Sequence, residues 1–598
     1  MLSLISLFEI CLLFSVFFCI DALPSLRSEV IESLNTVPKG WKEVAAPGHD
    51  LHIRFRVALK SPSLSNFQQS ILDISTPGHV RYGRHLKRDE VKAMLRPAQQ
   101  ATEVVTKWLK GSGVLPDDIE DDGNWIQFNA TVSQAQTMLD TTFMRYRNTI
   151  NDDEYVRTLQ YSLPTAVHQY INMIQPTTRF PLTPRKDKQS PVPELVRRRA
   201  QEETDAEIPC TERAAITPDC IRSVYNFPER RSSPVAGNKL GICTFLESYP
   251  AYDDLETFLA RYAPTIKSAN FSVSASGPAA PIGTSGEANG FVQTSISLAY
   301  PVDAVNYAVS GRGNFVADHS HAINQNEPYL DFLHTLSALP DDDLPRTLVI
   351  GYGEHEQTVP KQYAEEICNM FAALAGRGVS VLVASGDTGP GDSCLTNTDP
   401  PTPRFLPNFP ASCPWVTAVG GTEGFAPVSA WTGSGGGFSE YFPRPQWQET
   451  AVTPYLESLG SNFTGLYNAS GRAMPDVAIQ SQNFPMYDNG EATLFSGTSL
   501  STPIFAAIIS LLNDVRLSRN QPPLGHLNPW LYTGGLAGLT DVVDGATYGC
   551  AAELPGAPDV ADARWEARVG WDAATGLGVP DVGRLVRLVE AMVETGGV

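Results

Sequence analysis

Arg346-Thr-Leu-Val-Ile-Gly-Tyr-Gly353, a helical stretch from Gln362 to Gly376, and Ser380-Val-Leu-Val-Ala-Ser-Gly-Asp387 follow one another along the chain. Each short apolar run suits a strand buried on both faces, and the segment between them is long enough for a crossover helix. Strand, helix and strand at this spacing build a parallel sheet with helices packed on it, an α/β architecture. Ligands of such sheets gather beyond the carboxyl ends of the strands, so the Gly386-Asp387 turn is placed for chemistry. The same alternation begins near residue 237 and runs toward the carboxyl terminus.

Upstream the chain has a different character. Residues Leu2 to Ile20 are nearly all apolar and stop at Asp21-Ala22, which reads as a secretory signal peptide over residues 1–22. No other stretch approaches the roughly 20 apolar residues of a membrane span, so no membrane contact is expected after its removal. From 23 to 180, period-two patterning at Leu51 to Leu59 alternates with helical spacing at Thr102 to Leu109, the pattern of a small α+β domain. Residues 181–207 turn polar and Pro-rich around Arg197-Arg198-Arg199, a composition that buries no core and invites proteolysis. The remainder, 208–598, is the main domain.

Charge separates the same parts. There are 24 basic and 21 acidic residues up to position 200, and 20 against 44 beyond it, for a net charge of −21 over 598 residues. The acidic balance argues against nucleic acid as a partner, which needs clustered cations. A mildly basic domain clamped on an acidic one loses attraction as carboxylates protonate, so the pattern predicts a secreted zymogen released by acid. Seven cysteines follow the leader (Cys210, Cys220, Cys243, Cys368, Cys394, Cys413 and Cys550), without C-x-x-C zinc spacing. Disulfides with at least one leftover thiol fit a secreted protein. Asn129, Asn270, Asn462 and Asn468 stand in N-x-Ser/Thr triplets, acceptors for glycans on the same route.

The strongest chemical signal is Phe495-Ser-Gly-Thr-Ser-Leu-Ser-Thr-Pro503, opening the apolar run Ile504 to Asn513. Glycine allows a tight turn, Pro503 is expected early in a helix where its missing N–H is idle, and Ser499 comes near the helix amino end. A hydroxyl there meets unpaired N–H groups and the positive dipole end, which stabilise developing negative charge.

That string, Ser385-Gly-Asp-Thr-Gly389 and Gly570-Trp-Asp-Ala-Ala-Thr-Gly-Leu-Gly-Val-Pro580 together resemble the sedolisins, the serine-carboxyl peptidases, and among them secreted fungal tripeptidyl-peptidases. Tyr82-Gly-Arg-His-Leu86 is similar to the family's pro-domain, and Pro475-Asp-Val-Ala478 and Gly435-Gly-Gly-Phe-Ser439 to its peptidase domain. The resemblance implies a subtilisin-like parallel sheet flanked by helices behind a removable pro-domain that acts as intramolecular inhibitor and chaperone. It implies Ser499 as nucleophile, Glu287 as general base and Asp387 in the oxyanion hole, acting on polypeptides by releasing tripeptides from free amino termini. It implies a Ca²⁺ held by Asp541 and Asp572 and by the carbonyls of Val542, Arg568 and Gly570, and the pairs Cys210–Cys220 and Cys394–Cys550, leaving Cys243, Cys368 and Cys413 unassigned.

The sequence departs from that family at one point. Where an E-A-x-L-D-x-Q helix would put two carboxylates on one face, this chain reads Gly286-Glu-Ala-Asn-Gly-Phe-Val-Gln293, with Phe291 at the aspartate position. An apolar ring cannot bond the base or share its proton, so a catalytically impaired peptide-binding homologue is the alternative expectation. Glu327-Pro-Tyr-Leu-Asp331 has the same spacing and reads as the capped start of a surface helix. The glycines Gly435 to Gly437 read either as backbone opened to an extended peptide or as a plain turn.

Overall fold

The computed structural model describes residues 28–34, 36–149, 152–180, 209–210, 215–276, 286–550 and 560–594. The leader, the 181–207 linker and its arginine triplet lie outside them.

The main domain is built on seven parallel strands: β1 (Lys239–Phe245), β2 (Phe271–Ser276), β3 (Asp303–Val309), β4 (Thr347–Ile350), β5 (Ser380–Ala384), β6 (Thr417–Glu423) and β7 (Val477–Gln480). Their order is β2-β3-β1-β4-β5-β6-β7, every neighbouring pair is parallel, and Ser429–Ala430 adds an antiparallel stub to β6. β4 and β5 are the two runs that fixed the expectation, and α3 (Lys361–Gly376) is the crossover between them. They are buried along their whole length because both faces are covered. Helices α1 (Gly286–Ala299) and α4 (Thr498–Leu517) pack together as one layer, and α2 (Tyr329–Ala338) and α3 as another.

α4 is the central helix, buried almost throughout. Within its 20 residues an 18-residue window has a mean hydropathy of 1.3, enough by length and composition to cross a membrane, but 89% of that window is buried inside the protein. This corrects the expectation that no segment beyond the leader is so apolar: the apolar surface is core. Pro503 also lies deeper in α4 than expected, inside the helix rather than in its first turn. Beyond the first four positions a missing N–H forfeits a helical hydrogen bond.

The amino-terminal domain is α+β as expected. A four-stranded antiparallel sheet, ordered Ile119–Asp121, Trp125–Thr131, His52–Leu59 and Ile171–Gln175, carries helices Leu64–Ser75, Gln99–Gly111 and Val132–Met138. It has its own core around Phe55, Phe128 and Phe143. Its other apolar face, with Phe67, Ile71, Val91, Trp125 and Met173, belongs to the same continuous core as the main domain. Polar contacts pin this face. Asp331 accepts from Arg56 Nη1 at 2.8 Å and from Arg179 Nη1 at 3.0 Å. His85 Nε2 meets Pro523 O at 2.8 Å, and Asn172 donates to Glu366 at 2.9 Å.

The Glu327–Asp331 segment therefore corrects its expected role as a capped surface helix. The residue before α2 is Pro328, with no side-chain cap, Glu327 is buried, and Asp331 faces the amino-terminal domain. Cys210–Cys220 and Cys394–Cys550 are disulfides as the resemblance implied. Cys368 and Cys413 form a third, and Cys243 is the free thiol, buried in β1.

Candidate active site

The carboxyl ends of β4 and β5 and the amino ends of α1 and α4 converge on one cleft of about 320 Å³, lined among others by Glu287, Glu327, Tyr352, Glu354, Asp387 and Ser499. The sheet places it where the strand pattern predicted. Ser499 and Glu287 both come from first helical turns, so one carboxylate and one hydroxyl project from two helix amino ends packed against each other. Ser499 Oγ donates to Glu287 Oε1 at 3.5 Å, a long contact of the kind that tightens once substrate is seated. Ser499 is not itself the helix cap; Gly497 precedes the helix without a side-chain bond.

Asp387 ends the turn after β5. Its Oδ1 accepts from Thr498 N at 2.9 Å and from Thr498 Oγ1 at 2.7 Å, which fixes the carboxyl one residue from the nucleophile. The approach is close: a Cβ at Gly497 would lie 2.8 Å from Asp387 Oδ2, so glycine is required there. Thr498 Oγ1 also contacts Gly386 O at 3.1 Å, tying the strand turn to the helix. The glycines Gly435 and Gly436 support that turn from beneath. Their N–H groups donate to Gly386 O and Gly389 O, and a Cβ on Gly435 would meet Ser385 O at 2.4 Å. They are buried packing positions, not backbone open to an extended peptide.

Three expected residues thus meet: Ser499, Glu287 and Asp387. Both carboxyls are raised above the ordinary carboxylate range. Burial, then the negative charges of Glu327 and Asp387, push Glu287 up to about 8 against the smaller opposing effect of the Ser499 hydrogen bond. Asp387 keeps an opening to the cleft, yet burial of its carboxyl raises it too, opposed by its two Thr498 hydrogen bonds. A raised carboxyl is a stronger base once ionised, and one still protonated can donate to an oxyanion. Both shifts come first from the withdrawal of the carboxyls from water at the strand ends.

Phe291, at the expected aspartate position, does not line the cleft. Its ring is fully buried and stands edge-on to Tyr352 at 5.3 Å. Two other carboxyls, Glu327 and Glu354, line the same cleft, and burial raises both. Sequence reading found Glu327 but put it on the surface. Glu354, directly after the Gly351-Tyr-Gly353 turn at the end of β4, was visible only through the rule that strand ends carry chemistry.

A second constellation lies near the carboxyl terminus. Asp541 Oδ2 accepts from Gly570 N at 2.8 Å, and Asp572 Oδ2 from Arg568 N at 2.9 Å, so both carboxylates grip one loop. Among the described residues the carbonyls of Val542, Arg568 and Gly570 accept no hydrogen bond. Burial pushes Asp572 up to about 7 despite the N–H groups of Arg568, Thr575 and Ala574. Two carboxylates and three carbonyls free of hydrogen bonds on adjoining loops are a hard-oxygen donor set that fits such an ion.

Residues 39–180 match the pro-kumamolisin activation domain. The chain is 40% identical over 600 residues to the probable tripeptidyl-peptidase SED2 of Arthroderma benhamiae, covering 97% of this chain and 99% of the relative. It is 42% identical over 584 residues to the probable tripeptidyl-peptidase SED3 of Trichophyton verrucosum, covering 96% and 97%. Among solved structures it is similar to Pseudomonas sedolisin, with 19% identity and a TM-score of 0.44 over 64% of this chain and 98% of that one. With two-fifths of its residues shared with these peptidases along nearly their whole length, the chain belongs to their family, the sedolisins or serine-carboxyl peptidases.

Proposed function

We propose that the protein is a secreted, acid-acting tripeptidyl-peptidase, made as a zymogen and braced by calcium. The observation that carries the reading is the meeting of Ser499, Glu287 and Asp387 in one cleft at the ends of the parallel strands. The fraction of Glu287 that is ionised takes the Ser499 proton as Oγ attacks the scissile carbonyl. Protonated Asp387 donates to the oxyanion. Glu287 then returns the proton to the leaving amine, and water repeats the sequence on the acyl-enzyme. Release of tripeptides from free amino termini follows the SED relatives, which carry that activity in their names.

The activation domain serves as intramolecular inhibitor and folding template, supported by the continuous core it shares with the peptidase domain. Secretion and glycosylation at Asn129, Asn270, Asn462 and Asn468 follow from the leader and the acceptor triplets. Ca²⁺ would be held by Asp541, Asp572 and the carbonyls of Val542, Arg568 and Gly570, tying the carboxyl-terminal loops together.

The test is acid-treated purified protein on a tripeptide reporter with a free amino terminus, and on the same reporter with that terminus acetylated. Cleavage of the first alone is expected. Ser499→Ala and Glu287→Gln should each lower turnover by about 10³-fold or more. Equal cleavage by the Ser499→Ala protein would overturn the reading.

A further inference from the structure

On the wall of the same cleft stands a cluster that the proteolytic reading does not use. The Asp318 side chain is fully buried, between His321 and His355. Asp318 Oδ1 lies 3.2 Å from His321 Nδ1, and Oδ2 lies 3.1 Å from His355 Nδ1. One ligand atom from each of the three residues lies within 4.8 Å of the others. The two imidazoles stand at 87° with centroids 4.7 Å apart, so neither ring stacks over the other and both edges turn to the carboxylate. On its far side His355 Nε2 is 3.4 Å from Asp392 Oδ1.

We infer that Asp318, His321 and His355 form a transition-metal site of the zinc class, opening onto the catalytic cleft. Two imidazole nitrogens and a carboxylate are the donor set of three-ligand zinc sites that keep a position free. With metal–ligand distances of about 2.0–2.1 Å, a tetrahedral site separates neighbouring ligand atoms by about 3.3–3.4 Å. The two Nδ1···O separations already stand near that value, so the cation takes the place of the protons shared between each ring and Asp318. Asp392 supplies the support that metal-bound histidines usually have, a carboxylate on the other ring nitrogen. The carboxylate is also held in place independently of the rings: Ser320 N and Gln357 Nε2 donate to it at 3.0 Å each.

Access comes through His321, whose side chain is 38% exposed, whereas His355 is 4% exposed. His321, His355 and Asp392 line the cleft together with Ser499, Glu287 and Asp387. A cation there presents its open coordination position to the space a peptide must enter. Loading the site, which needs both imidazoles neutral, therefore obstructs substrate near neutral pH, and the metal is released as acid protonates the rings. The donor set is nitrogen-rich, unlike the all-oxygen set at Asp541 and Asp572, so zinc and calcium do not compete.

The test is calorimetric titration of Zn²⁺ into the full chain carrying Ser499→Ala, which stops self-cleavage, with Ca²⁺ in excess throughout. One zinc per chain is expected to bind, and Co²⁺ in its place should give the visible d–d absorption of a low-coordinate nitrogen–oxygen site. His321→Ala, at the half-exposed ligand, should abolish that binding while leaving circular dichroism unchanged. Asp392→Asn should weaken it by about 10–100-fold. The wild-type active site should lose peptide turnover on adding zinc and regain it with a chelator. Zinc binding that is absent, or that is unaltered in both His321→Ala and Asp392→Asn, overturns the inference whatever the protein does to peptides.

Discussion

The ring of Phe291 fills the space that any side chain at position 351 would need: a Cβ on Gly351 would lie 2.3 Å from Phe291 Cζ. The aromatic residue one helical turn after Glu287 and the glycine at the end of β4 are thus one packing unit, closed on the far side by Tyr352. The substitution of an expected carboxylate by phenylalanine is accommodated by the fold.

This unit predicts non-additivity. Gly351→Ala should cost about 1–3 kcal/mol of stability by overpacking. In a Phe291→Ala background the same change should be close to neutral or stabilising. Thermal unfolding of the two single variants and the double variant measures the coupling, and additive effects would contradict the packing described.

Glu327 is a source of the negative potential that raises Glu287. Glu327→Gln should let Glu287 ionise at lower pH. Because Glu287 acts as a base only when ionised, the ascending limb of kcat/KM against pH should move toward acid. An unmoved limb would mean that Glu287 does not sense Glu327.

Asp331 joins Arg56 and Arg179 at the domain contact. Burial raises its carboxyl, but the two guanidiniums outweigh that and hold it below the ordinary carboxylate range. Asp331→Asn leaves two cations facing a neutral amide, a loss on the order of 2 kcal/mol, reduced by the solvent that reaches about a third of the side chain. The activation domain, supplied as a separate chain to the mature enzyme, should inhibit the variant more weakly, by roughly tenfold or more.

Release by acid has a traceable sign. Burial, with smaller effects from Arg516 and Arg346, lowers His85 to about 4 in the docked state, against the supporting bond to Pro523 O. Burial likewise lowers His334, edge-on to Trp125 of the activation domain, to about 4. Groups lowered on docking take up protons on release, so docking weakens as pH falls from about 6.5 toward 4. Glu366, raised to about 7 by burial against Asn172, acts in the opposite direction over the upper part of that range. His85→Gln should therefore shallow the dependence of domain release on pH, and Glu366→Gln should steepen it. Gel filtration after acid steps reads both.

Chelation should expose the oxygen-lined loops. EGTA is expected to lower the unfolding temperature of the native chain and to have little effect on Asp541→Asn, which should already be less stable. Equal sensitivity of the two proteins would remove Asp541 from the ion's ligands.

The sheet was legible because β4 and β5 are uninterrupted apolar runs closed by glycine, a pattern that little but a doubly covered strand produces. Ser499 and Asp387 were legible because tight turns restrict which residues stand beside them. What stayed hidden depended on contacts between distant segments. Glu327 looks like a helix cap in sequence, and only the packing of α2 beneath the cleft buries it. Asp331 owes its partners to residues 275 and 152 positions away. The depth of Pro503 in α4 and the tight seating of Gly435 and Gly436 likewise come from tertiary approach, which local pattern does not record.

Arg56 and Arg179 come from opposite ends of the activation domain, yet both terminate on a single aspartate of α2. Severing the connecting peptide leaves that grip intact. If the proposed processing occurs, it and liberation are then separate events, with a nicked two-chain complex between them.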